Sequence, residues 1–148
     1  MRICGISFNS SNTALAIIDC SQDGTISLID CPIKQLPLDD HEDCTCLHSF
    51  FKTVNALVRD FSIQSIAIRK CTYSGQYQSG APAMKIEALF QVANVDTVLI
   101  SPKTVASCFK SGKIAIPTIL NKYQHEAFKV AVTFATQAAS QEKWNLNG

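Results

Sequence analysis

The stretch Arg2-Ile3-Cys4-Gly5-Ile6-Ser7-Phe8-Asn9-Ser10-Ser11-Asn12-Thr13-Ala14-Leu15-Ala16-Ile17-Ile18-Asp19 decides the fold. Residues 2–8 read as a strand, the Asn/Ser run 9–12 as a turn, and residues 13–19 as a second strand, apolar without a break from Ala14 to Ile18. Directly after it, Ser21-Gln22-Asp23-Gly24 is a hairpin signal, because an Asp-Gly pair readily supplies positive backbone φ. Residues 25–31 then read as a third strand. Three strands joined by short turns make an antiparallel meander.

Working outward, the apolar period lengthens. Pro32 and Pro37 punctuate a connection that ends in Asp39-Asp40-His41-Glu42-Asp43. Leu47, Phe50, Phe51, Val54, Leu57, Val58 and Phe61 then recur at three- and four-residue spacing, the stripe of an amphipathic helix. Negative charge ahead of that helix is stabilised by its dipole, which accounts for the acidic run. Ile66-Ala67-Ile68 reads as a strand covered on both faces. A Ser, Gly, Gln and Tyr loop at 71–81 leads to a helix opened by Pro82 and running to about residue 93. Residues 97–100 form the next strand. Ser101-Pro102 caps a short helix that ends at Gly112. A final helix over about 122–141 carries the stripe Tyr123, Ala127, Val130, Ala131, Phe134 and Ala138.

A meander followed by strand–helix alternation requires a mixed sheet with helices packed on it, and each strand–helix–strand connection sets its strands parallel. This order is similar to that of the ribonuclease-H-like fold: a mixed five-stranded sheet, expected order 3-2-1-4-5 with strands 1–3 antiparallel, flanked by helices.

The 148 residues suit one domain, expected at 1–141, with a polar tail at 142–148 in which Trp144 anchors the tail to its own domain. With 47% hydrophobic and 17% charged residues the chain is globular and not disordered. No apolar run approaches the roughly 18 residues of a membrane span. The opening leads straight into a strand pattern and lacks a signal-peptide core. The seven cysteines, an odd number without repeated Cys-x-x-Cys spacing, form no disulfide framework. A reducing cytoplasm is the expected location. A net charge of +1 excludes nucleic-acid binding driven by bulk charge. Residues 1–60 carry −4 and residues 61–148 carry +5, which fits either an ordinary solvated surface or a basic face on one half.

Several of these segments resemble the RuvC-type Holliday-junction resolvases, a branch of the ribonuclease-H-like superfamily, over roughly residues 2–140. Cys4-Gly5-Ile6-Ser7-Phe8-Asn9-Ser10 is similar to the family's first-strand motif Gly-Ile-Asp-Pro-Gly, and Ile66-Ala67-Ile68-Arg69-Lys70 to its motif Ala-Ile-Glu. His125-Glu126-Ala127-Phe128-Lys129-Val130-Ala131 resembles the last-helix motif Asp-Ala-x-Asp-Ala. The resemblance implies carboxylates gathered around two Mg²⁺ ions, since hard cations need anionic oxygen ligands. It also implies a homodimer. The chain departs from that pattern: Ser7 stands for the first-strand Asp and Arg69 for the Glu. In the last helix the carboxylate positions fall on His125 and Phe128 or on Glu126 and Lys129, so at most one carboxylate survives. A cation at Arg69 repels a divalent metal.

Outside the resemblance, Asp39 to His48 is dense in metal-ligand types but has only a Cys-x-Cys spacing, so no zinc site is read there. Tyr73 and Tyr77 lie in a Gly-containing loop beyond an inner strand, with Arg69, Lys70 and Lys85 nearby in sequence. That loop is either a flexible connection or a site holding a phosphate or a base by charge and stacking. A Ser7–His125 hydrolase lacks an orienting acid. The expected protein is therefore a non-catalytic binding or interaction module on a degenerate nuclease fold. It would need no metal or other cofactor and take a phosphate-containing ligand or nucleic acid through Arg69, Lys70, Tyr73, Tyr77 and Lys85. The alternative is a Mg²⁺-dependent nuclease with relocated ligands.

Overall fold

The computed structural model describes the backbone of residues 1–147 and the side chains of residues 1–141. β1 (Arg2–Asn9) and β2 (Asn12–Cys20) pair antiparallel in one unbroken register, from Arg2 opposite Asp19 to Asn9 opposite Asn12. The two-residue link is tight enough to hold Ser10 at a φ of 57°, a value non-glycine residues seldom adopt. β3 (Ile26–Ile29) returns along the far part of β2.

One strand was not foreseen. β4 (Gln35–Pro37) pairs with β2 at Asn12, Thr13 and Ala14, so the sheet has six strands and not five. The expected third strand, 25–31, is correspondingly shorter. The chain leaves the ladder after Ile29, passes Pro32, and is drawn back by Leu36, which is buried. Pro37 is tolerated because an edge strand leaves its missing N–H without consequence. A three-residue strand with one buried side chain leaves no periodic trace in the sequence.

α1 (Cys44–Asp60) is capped by Asp43, whose carboxylate accepts the Thr45 N–H at 2.9 Å, while Asp40 accepts the Glu42 N–H at 2.9 Å. The acidic run thus closes a helix start. β5 (Ser65–Arg69) lies parallel to β1, and α2 (Ala81–Gln91) leads to β6 (Asp96–Ile100), parallel to β5. α3 (Pro102–Phe109) is capped by the Ser101 hydroxyl, which accepts the Thr104 N–H at 3.2 Å. A 3-10 turn (Lys122–Gln124) then enters α4 (His125–Asn147), which continues beyond residue 141, the expected end of the final helix. The side chain of Trp144 lies outside the described residues. The strand order β3-β2-β1-β5-β6 is the expected one, with β4 added beside β2.

Alternation along the strands divides the core in two. Cys4, Ile6, Ile66 and Ile68 face α1 and α2, where Val54, Ile86 and Phe90 are fully buried. Ile3 and Ala67 face α4, against Ala127, Val130 and Ala131. Each fully buried aliphatic side chain contributes about 1.5–3 kcal/mol relative to exposure. By the same alternation Gly5, Ser7 and Arg69 lie on the α4 side. Gly5 sets the spacing there: a Cβ on it would stand 1.9 Å from the Ala127 carbonyl oxygen and 2.9 Å from the Ala131 Cβ. Only a residue without a side chain lets α4 lie this close to β1. Among the described residues no helix is long and apolar enough to cross a membrane.

Candidate functional site

β1 and β5 run parallel with Gly5 opposite Ala67 and Ile6 opposite Ile68, so one further step brings Ser7 beside Arg69 at the strand ends. The start of α4 crosses above them. Gln124, buried at 6% exposure, fixes that crossing: its Nε2 donates to the Leu15 carbonyl on β2 at 2.9 Å, and its Oε1 accepts the Asn121 N–H at 3.1 Å. Tyr123, Glu126 and Lys129 follow at three-residue steps and share one face of the helical segment.

These elements enclose a cleft of about 230 Å³. Ser7, Arg69, Tyr123 and Glu126 line it, and Asn9, Asn12, Gln35 and Lys122 are also on its wall. The Arg69 Nε lies 3.3 Å from a Glu126 carboxylate oxygen, and the Lys129 Nζ lies 3.4 Å from the other. All three side chains are partly open to solvent. The Arg69 Nε is buried and its contact with Glu126 lacks hydrogen-bond alignment, so the pair is a charge contact alone. The Asn12 Oδ1 is likewise buried without a hydrogen-bond partner among the described residues.

Of the residues singled out from sequence, Ser7, Arg69 and Glu126 meet in this cleft, and Lys129 reaches Glu126 from its flank, 5.8 Å from the Phe109 ring centroid. Glu126 lines the cleft and Lys129 contacts it, while Phe128 is buried in the core. His125 donates its N–H to the Lys122 carbonyl and does not line the cleft.

The loop candidates do not join it. Lys70 sits over the Tyr73 ring, 5.1 Å from its centroid. The Tyr73 hydroxyl donates to Glu87, whose other carboxylate oxygen accepts the Cys71 N–H at 2.7 Å. The hydrogen bond to Glu87 pushes the Tyr73 hydroxyl up to about 12, and burial pushes the Cys71 thiol up to about 11. Tyr77 is 83% exposed. Lys85 donates to the His41 carbonyl at 2.8 Å, well removed in the chain, and is spent on holding the start of α1 to α2.

Sequence reasoning missed Asn12, Gln35, Lys122, Tyr123 and Glu87. The spacing of Tyr123, Glu126 and Lys129 was visible, but Tyr123 was read as part of an apolar stripe. It is 41% exposed and lines the cleft from the 3-10 turn that precedes α4. Gln35 carried no signal, being on the unforeseen strand.

Mg²⁺, which the sequence resemblance implies, does not fit these residues. Glu126 is the one carboxylate lining the cleft, and a guanidinium already stands against it. Among the described residues no group of three or more His, Cys, Asp or Glu could hold a metal ion.

The fold is that of the Holliday-junction resolvases. Thermus thermophilus RuvC is similar with a TM-score of 0.75 at 13% identity, over 95% of this chain and 97% of that one. The yeast mitochondrial Holliday junction resolvase Ydc2 gives 0.61 at 12% identity, over 97% and 83%. The fowlpox virus resolvase, in complex with substrate Holliday junction DNA, gives 0.58 at 18% identity, over 93% and 99%. No curated protein matches the chain. Residues 1–134 match the family described as Protein of unknown function (DUF3010), and the chain belongs to that family.

Proposed function

We propose that the cleft binds the phosphate of a nucleic acid or another phosphate-containing ligand, and that the protein is a non-catalytic binding module built on a resolvase fold. The observation that carries this is the Arg69 guanidinium at the end of β5, on the wall of the cleft with its side chain 39% exposed and Glu126 the one carboxylate lining that cleft. Guanidinium–phosphate contacts are charge-assisted and directional. Lys122 and Lys129 add positive charge around a single carboxylate. Two of the similar structures, RuvC and the fowlpox enzyme, were solved with Holliday junction DNA, which makes nucleic acid the ligand class to try first. The homodimer expected from the resemblance belongs to the same proposal and is read by sedimentation velocity.

The test is fluorescence anisotropy with labelled single-stranded, duplex and four-way-junction DNA at low salt, followed by incubation with Mg²⁺ or Mn²⁺. The expected result is binding that Arg69→Ala weakens, without strand cleavage. Absence of any binding at low salt, where electrostatic attraction is strongest, overturns the phosphate site. Robust metal-dependent cleavage by the wild type, lost in Glu126→Ala, overturns the non-catalytic reading and restores a nuclease with relocated ligands.

A further inference from the structure

We propose that the cleft selects a terminal phosphate, a phosphomonoester carried on a single substituent, and that Ser7 and Arg69 hold it together. This rests on the phosphate reading above and names the chemical class of phosphate that the site takes.

Of the polar side chains that line the cleft, Ser7 is the buried one, at 7% exposure. Its hydroxyl makes no hydrogen bond among the described residues. Yet it is not one of the unpartnered atoms closed off from the surface, which are the Asn12 Oδ1, Thr13 Oγ1, His41 Nδ1 and Arg69 Nε. The hydroxyl therefore opens on the cleft without a partner. The Arg69 guanidinium is closed at Nε, but its two terminal nitrogens are, like the Ser7 hydroxyl, neither closed nor hydrogen-bonded among the described residues. After Ile6 opposite Ile68, the next step of the β1–β5 register sets Ser7 beside Arg69, on strands about 4.8 Å apart, and both side chains leave on the α4 side. A hydroxyl donor next to a guanidinium donor suits one tetrahedral group with several acceptor oxygens.

Depth decides which phosphate enters. A phosphodiester within a strand carries a sugar on each side, and both must lie along the mouth of the cleft and hold the phosphorus there. A phosphomonoester has one substituent and three free oxygens, so it enters end-on and reaches a hydroxyl that is only 7% exposed. Charge points the same way. Arg69, Lys122 and Lys129 stand around the single carboxylate of Glu126, an excess of two positive charges. A phosphomonoester carries about −1.5 to −2 at neutral pH, whereas each phosphodiester of a nucleic acid carries one negative charge. Ser7 donates to the phosphate without adding charge of its own; an acid at that position would repel it.

The experiment is an NMR titration of the full chain with ribose 5-phosphate as a monoester, dimethyl phosphate as a diester, and one single-stranded oligonucleotide bearing a 5′-phosphate, a 3′-phosphate or hydroxyls at both ends. Ribose 5-phosphate is expected to bind about 10-fold more tightly than dimethyl phosphate, the ratio of one further charge-assisted hydrogen bond. Ser7→Ala should remove that advantage and leave dimethyl phosphate unchanged, Ser7→Asp should abolish monoester binding, and Arg69→Ala should weaken both. The amide spectrum of each variant reports its fold in the same measurement. Tighter binding of a phosphorylated oligonucleotide than of its hydroxyl-ended form supports the monoester site and identifies a nucleic-acid end as the source. Binding of ribose 5-phosphate without that gain supports the same site and identifies a small phosphorylated molecule. Equal affinity for monoester and diester, or a monoester preference that survives Ser7→Ala, overturns the proposal and leaves the phosphate reading standing. If none of the phosphate compounds binds, both fall.

Discussion

Arg69 on β5 faces Glu126 on α4 across 3.3 Å, and the carboxylate is shared with Lys129 at 3.4 Å. One acid between two bases leaves a local excess of positive charge. Because the Arg69–Glu126 pair is partly exposed and not aligned as a hydrogen bond, it contributes at most about 1 kcal/mol, screening included. Glu126 therefore acts on ligands more than on stability: it competes with an incoming phosphate for the guanidinium. Glu126→Gln should strengthen phosphate or DNA binding a few-fold, while Arg69→Ala should weaken it about 10-fold or more, as expected for losing a charge-assisted hydrogen bond. Titration of both variants against one labelled oligonucleotide checks the pair. Weaker binding by Glu126→Gln would show that the carboxylate contacts the ligand in its own right.

Lys122 lines the cleft and Lys129 flanks it, so their charges should register in salt dependence before they register in specificity. A lysine that touches phosphate releases about one counterion on binding, so Lys122→Met should reduce the slope of log K against log salt by about 1. Lys85→Met, on α2, should leave the slope unchanged because Lys85 is held by the His41 carbonyl. Equal slopes for wild type and Lys122→Met would remove Lys122 from the interface.

How much of this was legible in the sequence depended on the range of the interaction. The strand order followed from local periodicity: Ile3-Cys4-Gly5-Ile6 and Ile66-Ala67-Ile68 alternate or run apolar as inner strands must, and Leu47 to Phe61 marks a helix. Ser7, Arg69 and Glu126 were legible through resemblance to a motif, and the topology brings them together. Gln35 was not, because it reaches the cleft only through the antiparallel pairing of β4 with β2. Tyr73 was singled out for stacking, but its hydroxyl is engaged by Glu87 from the following helix, a long-range contact without a sequence mark.

Gly5 is expected to be among the least replaceable residues of the sheet. A methyl group there meets backbone, the Ala127 carbonyl at 1.9 Å, so it cannot be relieved by a rotamer change. Gly5→Ala must push α4 away from β1, at a cost of about 1–3 kcal/mol or more. It also displaces Glu126 from Arg69. Urea denaturation should show a lower midpoint. A midpoint equal to the wild type would mean that α4 can shift freely on the sheet.

The Tyr73–Glu87 contact predicts an alkaline signature. In the folded chain the hydroxyl is held up at about 12 from an ordinary 10, chiefly by its hydrogen bond to Glu87. The folded state therefore keeps a proton that the unfolded state releases above pH 10. Its contribution to stability is fully present below 10 and is lost as the pH rises through 12. Glu87→Gln removes the negative charge while keeping the side-chain shape, so the Tyr73 midpoint should fall toward 10 and the stability loss between pH 10 and 12 should flatten. Ultraviolet titration of phenolate, with Tyr73→Phe identifying its share among the three tyrosines, reads the midpoint directly. Unchanged midpoints in Glu87→Gln would mean that the hydroxyl is held by its surroundings and not by the carboxylate. The variant should also loosen residues 71–80, because the Cys71 N–H loses a charged acceptor at 2.7 Å. Faster amide exchange at Cys71 and Thr72, with the phosphate cleft unaffected, would separate this loop anchor from the binding site.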